Sequence, residues 1–91
     1  MKTTVKSISR PLYVIAAEIR KNWNYETSGT ELFYGAKPYL SAMQSLDSIN
    51  DVYGMDSAKS IVIYFLSNAS TWRGETAKRI KTELKKMAGL K

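Results

Sequence analysis

Residues 56–72 read Asp56-Ser57-Ala58-Lys59-Ser60-Ile61-Val62-Ile63-Tyr64-Phe65-Leu66-Ser67-Asn68-Ala69-Ser70-Thr71-Trp72, and the spacing inside this stretch decides the fold. Ala58, Ile61, Val62, Phe65, Leu66 and Ala69 recur at intervals of three and four, the period of one helical face. Ile63 and Tyr64 widen that face until residues 61–66 are apolar almost all round. A helix of this kind packs on more than one side, so the helix expected over roughly 56–68 is the central one. Asp56 is its expected cap, because a carboxylate there accepts free N–H groups at the positive end of the helix dipole.

Working outward, the polar break at 67–71 precedes a second periodic run in which Ala77, Ile80, Leu84 and Met87 face inward. This predicts a helix over roughly 71–88 with Ser70 or Thr71 as cap, Trp72 anchoring its start and Gly89 beyond its end. On the other side, Lys37-Pro38 opens a helix expected over 38–53, with Tyr39, Ala42, Met43, Leu46, Ile49 and Tyr53 on its buried face. Gly54 followed by Met55 fits a left-handed cap whose next side chain packs back. Leu12, Ile15, Ala16, Ile19 and Trp23 predict a first helix over 10–23, with Pro11 in its first turn and Ser9 or Arg10 near the cap. Residues 24–36 read as a loop, and residues 1–8, with Val5 and Ile8, fit an arm or a short strand. The fold expected is all-α, a compact bundle of four short helices whose last pair is a candidate helix-turn-helix.

The chain has 91 residues, 44% of them hydrophobic, which suits one domain and a single core. It contains no cysteine and no histidine, which excludes disulfides, thiolate zinc sites and histidine-dependent triads. Asp47 and Asp51, one turn apart on the second predicted helix, lie near Asp56, but no phosphate loop or partnered base accompanies them. They read as surface acids and a cap, so no enzyme, metal or cofactor is expected. Asn68-Ala69-Ser70 matches a glycosylation acceptor by chance in a chain whose start is too polar for a signal peptide. The setting expected is cytoplasmic, without a membrane span, as a monomer or small homodimer.

Charge is unevenly spread over the net +6. Residues 57–91 carry eight positives against Glu75 and Glu83, whereas residues 31–56 carry Lys37 against Glu31, Asp47, Asp51 and Asp56. On the last predicted helix Lys78, Lys81 and Lys85 fall at i, i+3 and i+7 and line one edge. Arg79 and Lys86 make a second row, and Arg73 sits at the start. These six cations are the candidate contacts to nucleic-acid phosphates, DNA rather than RNA. No Asn or Gln pair is present there to read adenine edges, so backbone binding without strong base readout is the expected mode. Gly74 weakens the start of that helix, which reads as a close approach of another backbone or ligand, or as the helix start itself.

Trp23, Tyr25, Phe33, Tyr34 and Tyr39 crowd the 24–36 loop and its borders. They read as core caps or as a contact surface, since rings with polar tips suit interfaces that are part apolar and part wet. Tyr25, Phe33, Tyr34 and Trp72 are therefore the candidate partner-binding residues, with the acidic middle beside them.

Phe33-Tyr34-Gly35-Ala36-Lys37-Pro38-Tyr39-Leu40-Ser41-Ala42-Met43 and Asn68-Ala69-Ser70-Thr71-Trp72-Arg73-Gly74-Glu75-Thr76-Ala77-Lys78 resemble small accessory proteins of phages and related mobile elements of Gram-positive bacteria. The likeness extends over most of residues 10–88, and the 24–30 insert is longer than the loop it implies. What the resemblance implies is context, a bacterial host cytoplasm. Such proteins bind nucleic acid or disable a host defence, as the anti-CRISPR inhibitors do.

Overall fold

The computed structural model describes residues 10–90. The expected arm or strand at 1–8, and Ser9 as a cap, lie outside them. The described residues are 59% helix and 5% strand. In chain order they form α1 (Leu12–Asn22), α2 (Tyr25–Ser28), a 3-10 turn (Tyr34–Ala36), α3 (Lys37–Met43), β1 (Val52–Tyr53), β2 (Asp56–Ser57), α4 (Ala58–Ser67) and α5 (Glu75–Met87). All-α is therefore approximate, because β1 and β2 form a two-stranded antiparallel hairpin. Helices α1 and α4 each pack against both α3 and α5, so α4 is not alone at the centre.

The second predicted helix is corrected most. It stops at Met43, ten residues short of the expectation, and the reason is local and distant at once. Residues 45–51 are rich in Ser, Asp and Asn, whose side chains offer the backbone alternatives to a helix. Asp51 Oδ2 accepts the N–H groups of Asp47 and Ser48, both at 3.0 Å, and Ser48 Oγ accepts that of Asn50 at 3.0 Å. The N–H bonds from Ser48 and Asp47 hold the Asp51 carboxyl below its ordinary range. The freed carbonyls of Asp47 and Leu46 accept the N–H groups of Leu12 at 2.8 Å and Tyr13 at 2.9 Å. The turn thus caps α1, whose first flanking residue, Pro11, supplies no side-chain cap.

Beyond the turn, Tyr53 lies exposed on β1 and not on a buried helical face. Gly54 does have a positive φ, 62°, but it turns the hairpin and caps no helix. Met55 is fully exposed at the tip, so nothing packs back there. The cap of α4 is Ser57, whose Oγ accepts the Ser60 N–H at 3.1 Å, while Asp56 pairs with Tyr53 across the hairpin.

The connection between α4 and α5 covers residues 68–74, longer than the three or four of a helix-turn-helix, so that motif is not matched. Neither Ser70 nor Thr71 caps α5. Gly74 does, at φ 113°, with nothing within 4 Å of where a Cβ would sit. Its glycine answers to backbone conformation and not to a close approach. Gly35 is the opposite case. A Cβ there would fall 2.7 Å from the Phe33 ring and 2.9 Å from Asn68 Oδ1.

The 24–36 loop is itself ordered. Asn24 caps α2 by accepting the Thr27 N–H at 3.0 Å. The core is one buried cluster, with an aromatic centre. Trp23 and Trp72 stack at 5.5 Å and 15°, and Phe65 meets both edge-on at 6.1 and 6.4 Å. Both indole N–H groups donate, Trp72 to Asn22 Oδ1 at 2.8 Å and Trp23 to Thr30 Oγ1 at 3.2 Å. Replacing Trp72 by Ala is expected to cost about 3–5 kcal/mol in urea unfolding. Trp72→Phe, which keeps most of the packing but leaves Asn22 unpaired, is expected to cost roughly 1–3 kcal/mol. Unfolding midpoints equal to that of the parent would refute the stacked core.

Candidate nucleic-acid interface

The strong amphipathic period of α5 buries Ala77, Ile80 and Leu84 and leaves its cations on the outside. Arg73, Gly74, Lys78 and Lys81, with Trp72, Glu75 and Ala77, line an open cavity of about 530 Å³ at the start of the helix. Lys81 Nζ donates to the Trp72 carbonyl at 2.6 Å and lies 6.0 Å from the centre of its ring. Partial burial lowers the Lys81 pKa, and the neighbouring charges of Lys85 and Arg73 lower it further. Those neighbours show Arg73, Lys81 and Lys85 to be one electrostatic cluster.

The second row behaves differently. Arg79 donates to Glu18 Oε2 on α1, and Arg10 joins the same carboxylate at 2.8 Å. Arg10 also grips Glu83 of α5 in a two-point pair at 2.9 and 2.7 Å. Two arginines and two glutamates thus neutralise each other between α1 and α5. Arg79 of the expected phosphate-binding set is thus paired with an acid of the first helix, not with the acidic middle, while about half of its side chain stays exposed. Lys86 stays exposed, on the flank of α5 that carries Glu83. Arg73, Lys78, Lys81, Lys85 and Lys86 make no ion pair among the described residues.

The partner-binding candidates separate as well. Tyr25, Phe33 and Tyr34 are exposed, Tyr34 at 82%. Trp72 borders the open cavity, but the residue as a whole is buried, so it is corrected to a core residue. Tyr64, passed over as a contact residue because it lies in an apolar helical run, is half exposed and tilts against Tyr39 at 5.5 Å. Among the described residues Asp47, Asp51 and Asp56 do not come together as a metal-holding group, and no helix is long and apolar enough to cross a membrane.

Comparison of the chain with protein-family models, curated proteins and solved structures finds no match.

The hydrogen bond from Arg79, and then that from Arg10, hold the Glu18 carboxyl below its ordinary range, against a smaller opposing effect of burial. A carboxylate lowered in this way stabilises the fold above its unfolded pKa of about 4.3, and that contribution is lost as pH falls through the lower folded value. Melting temperatures of the parent are therefore expected to fall more steeply than those of Glu18→Gln as pH drops below about 4.3. At pH 7 the substitution is expected to cost under about 1 kcal/mol, since solvent screens the pair. Parallel pH profiles would remove Glu18 as the link between the helices.

Proposed function

We propose that this chain is a small, non-enzymatic accessory protein that binds nucleic acid through the phosphate backbone. The observation that carries the reading is the cavity at the start of α5, where Arg73, Lys78 and Lys81 converge beside Glu75, with Lys85 close by and no acid paired to any of these cations among the described residues. Ammonium groups on flexible stems act as point charges toward phosphate oxygens, and each contact releases counterions. Lys86 extends the set on the neighbouring flank. The resemblance to phage and mobile-element proteins agrees with such a role in a bacterial cytoplasm, on DNA.

A second reading, docking on a host-defence protein in the manner of an anti-CRISPR inhibitor, draws on the hairpin. Val52, Tyr53 and Met55 are exposed there beside Asp51 and Asp56. That surface is acidic and apolar, and it would engage a basic-rimmed groove without using the α5 cations.

Titration of a fluorescent oligonucleotide distinguishes the two. With about four phosphate contacts, affinity is expected to fall roughly 100-fold between 50 and 200 mM salt. Lys78→Glu combined with Lys85→Glu is expected to abolish binding at 50 mM salt while leaving the melting temperature within a few degrees. No binding by the parent at 50 mM salt, or binding indifferent to this double substitution, refutes the proposal.

A further inference from the structure

We infer that the nucleic acid preferred by this chain is single-stranded, with its phosphates following Arg73, Lys78, Lys81 and Lys85 and its unpaired bases stacking on Phe33 and Tyr34. The inference rests on the phosphate-binding reading and adds the strandedness of the ligand.

The argument starts from two segments that run side by side. Thr30 Oγ1 donates to the Thr71 carbonyl at 3.0 Å, tying the loop before the 3-10 turn to the α4–α5 connection. A few residues on, Gly35 lies so close to Asn68 that a Cβ would come within 2.9 Å of its Oδ1, and the Phe33 ring is set against the same glycine. The loop carrying Phe33 and Tyr34 is therefore fastened along the connection that leads directly into Arg73 and the cationic cavity. The two segments run antiparallel, so Thr30 lies at the end of the connection nearer Arg73 and the rings lie toward its α4 end. A flexible strand following the cations back along the connection reaches them.

Phe33 and Tyr34 are both well exposed, and neither pairs with another ring among the described residues. Lys37, one turn beyond Tyr34, and Glu31, two residues before Phe33, are both exposed, so the rings themselves sit in balanced charge and the excess of cations lies toward α5. A duplex makes little use of such rings, because its bases are already stacked and offer only edges in the grooves. A single strand presents base faces, and a cationic track beside aromatic platforms is how such strands are held without regard to sequence. The positive charge of the neighbouring cavity selects a polyanion over a neutral or basic protein surface for this patch.

The test is fluorescence anisotropy with a single-stranded DNA of about 12 nucleotides and its duplex, at low and moderate salt. Tyr34→Ala and Phe33→Leu are the variants, the leucine keeping bulk against Gly35 while removing the ring. The single strand is expected to bind at least about tenfold more tightly than the duplex. Tyr34→Ala is expected to weaken single-strand binding about 5- to 100-fold, with the salt slope and the duplex affinity unchanged. Equal affinity for the two forms overturns the single-strand preference but leaves phosphate binding intact. A preference that survives both ring substitutions overturns the stacking sites. Binding of neither form overturns the phosphate-binding reading itself, and circular dichroism melting of each variant shows that the fold persists.

Discussion

The stacked indoles of Trp23 and Trp72 are the contact on which the rest of the arrangement depends. Neither residue is helical. Trp23 follows the last residue of α1, and Trp72 lies two residues before the glycine that opens α5. Stacking them fixes where one helix ends against where another begins, and large rings of this kind each bury about 150–250 Å². Buried indole N–H groups need acceptors, and Asn22 and Thr30 supply them. Thr30 in turn donates its hydroxyl hydrogen bond to the Thr71 carbonyl. One chain of bonds therefore runs from the core to the surface and draws the 30–36 loop onto the connection ahead of α5. Lys81 completes it from the other side by bonding the Trp72 carbonyl. The layout of charge outside is in this sense a consequence of packing inside.

Periodicity made α1, α4 and α5 legible because the signal for each is local: residues three and four apart share a face whatever the remainder of the chain does. The stretch at 44–57 carries an equally good helical period, in Leu46, Ile49 and Tyr53, and yet is not helical. Two of those positions keep their expected character, Leu46 buried and Ile49 partly so. A turn can direct the same side chains inward while the backbone does something else. What the period does not reveal is a demand from far away. The carbonyls of Leu46 and Asp47 serve the first N–H groups of α1, and within a helix they would have been bonded four residues onward. The Ser, Asp and Asn content was the available warning.

The candidate surface divides along the same line. The spacing of Lys78, Lys81 and Lys85 along α5 follows from helical geometry alone, but the turn of the partly buried Lys81 to the Trp72 carbonyl does not. Arg79 shares that helix but pairs with Glu18, 61 residues away, and no local pattern announces such a pair. Trp72 was ambiguous for a different reason: an indole with its polar N–H suits an interface and a core equally well, and only the presence of Asn22 opposite decides between them. The run of the 30–35 loop against the α4–α5 connection was likewise invisible, since it depends on Thr30 meeting Thr71 and on Gly35 meeting Asn68.

The chain also divides labour between its two kinds of cation. Three of its four arginines are tied down, Arg10 and Arg79 to glutamates and Arg20 to the Ser41 hydroxyl at 3.2 Å. A planar, permanently charged fork suits such fixed, directional bonds. The cations on α5 and just ahead of it that make no ion pair among the described residues are lysines, with Arg73 the exception, and of these Lys81 donates to the Trp72 carbonyl. Lysine does not read base edges in two-point fashion as arginine reads guanine, but it neutralises phosphate from many angles. Under the proposed function, this allocation favours holding a backbone over recognising a sequence. Arg73, which makes no ion pair among the described residues, would under that proposal be the arginine available to meet a guanine edge.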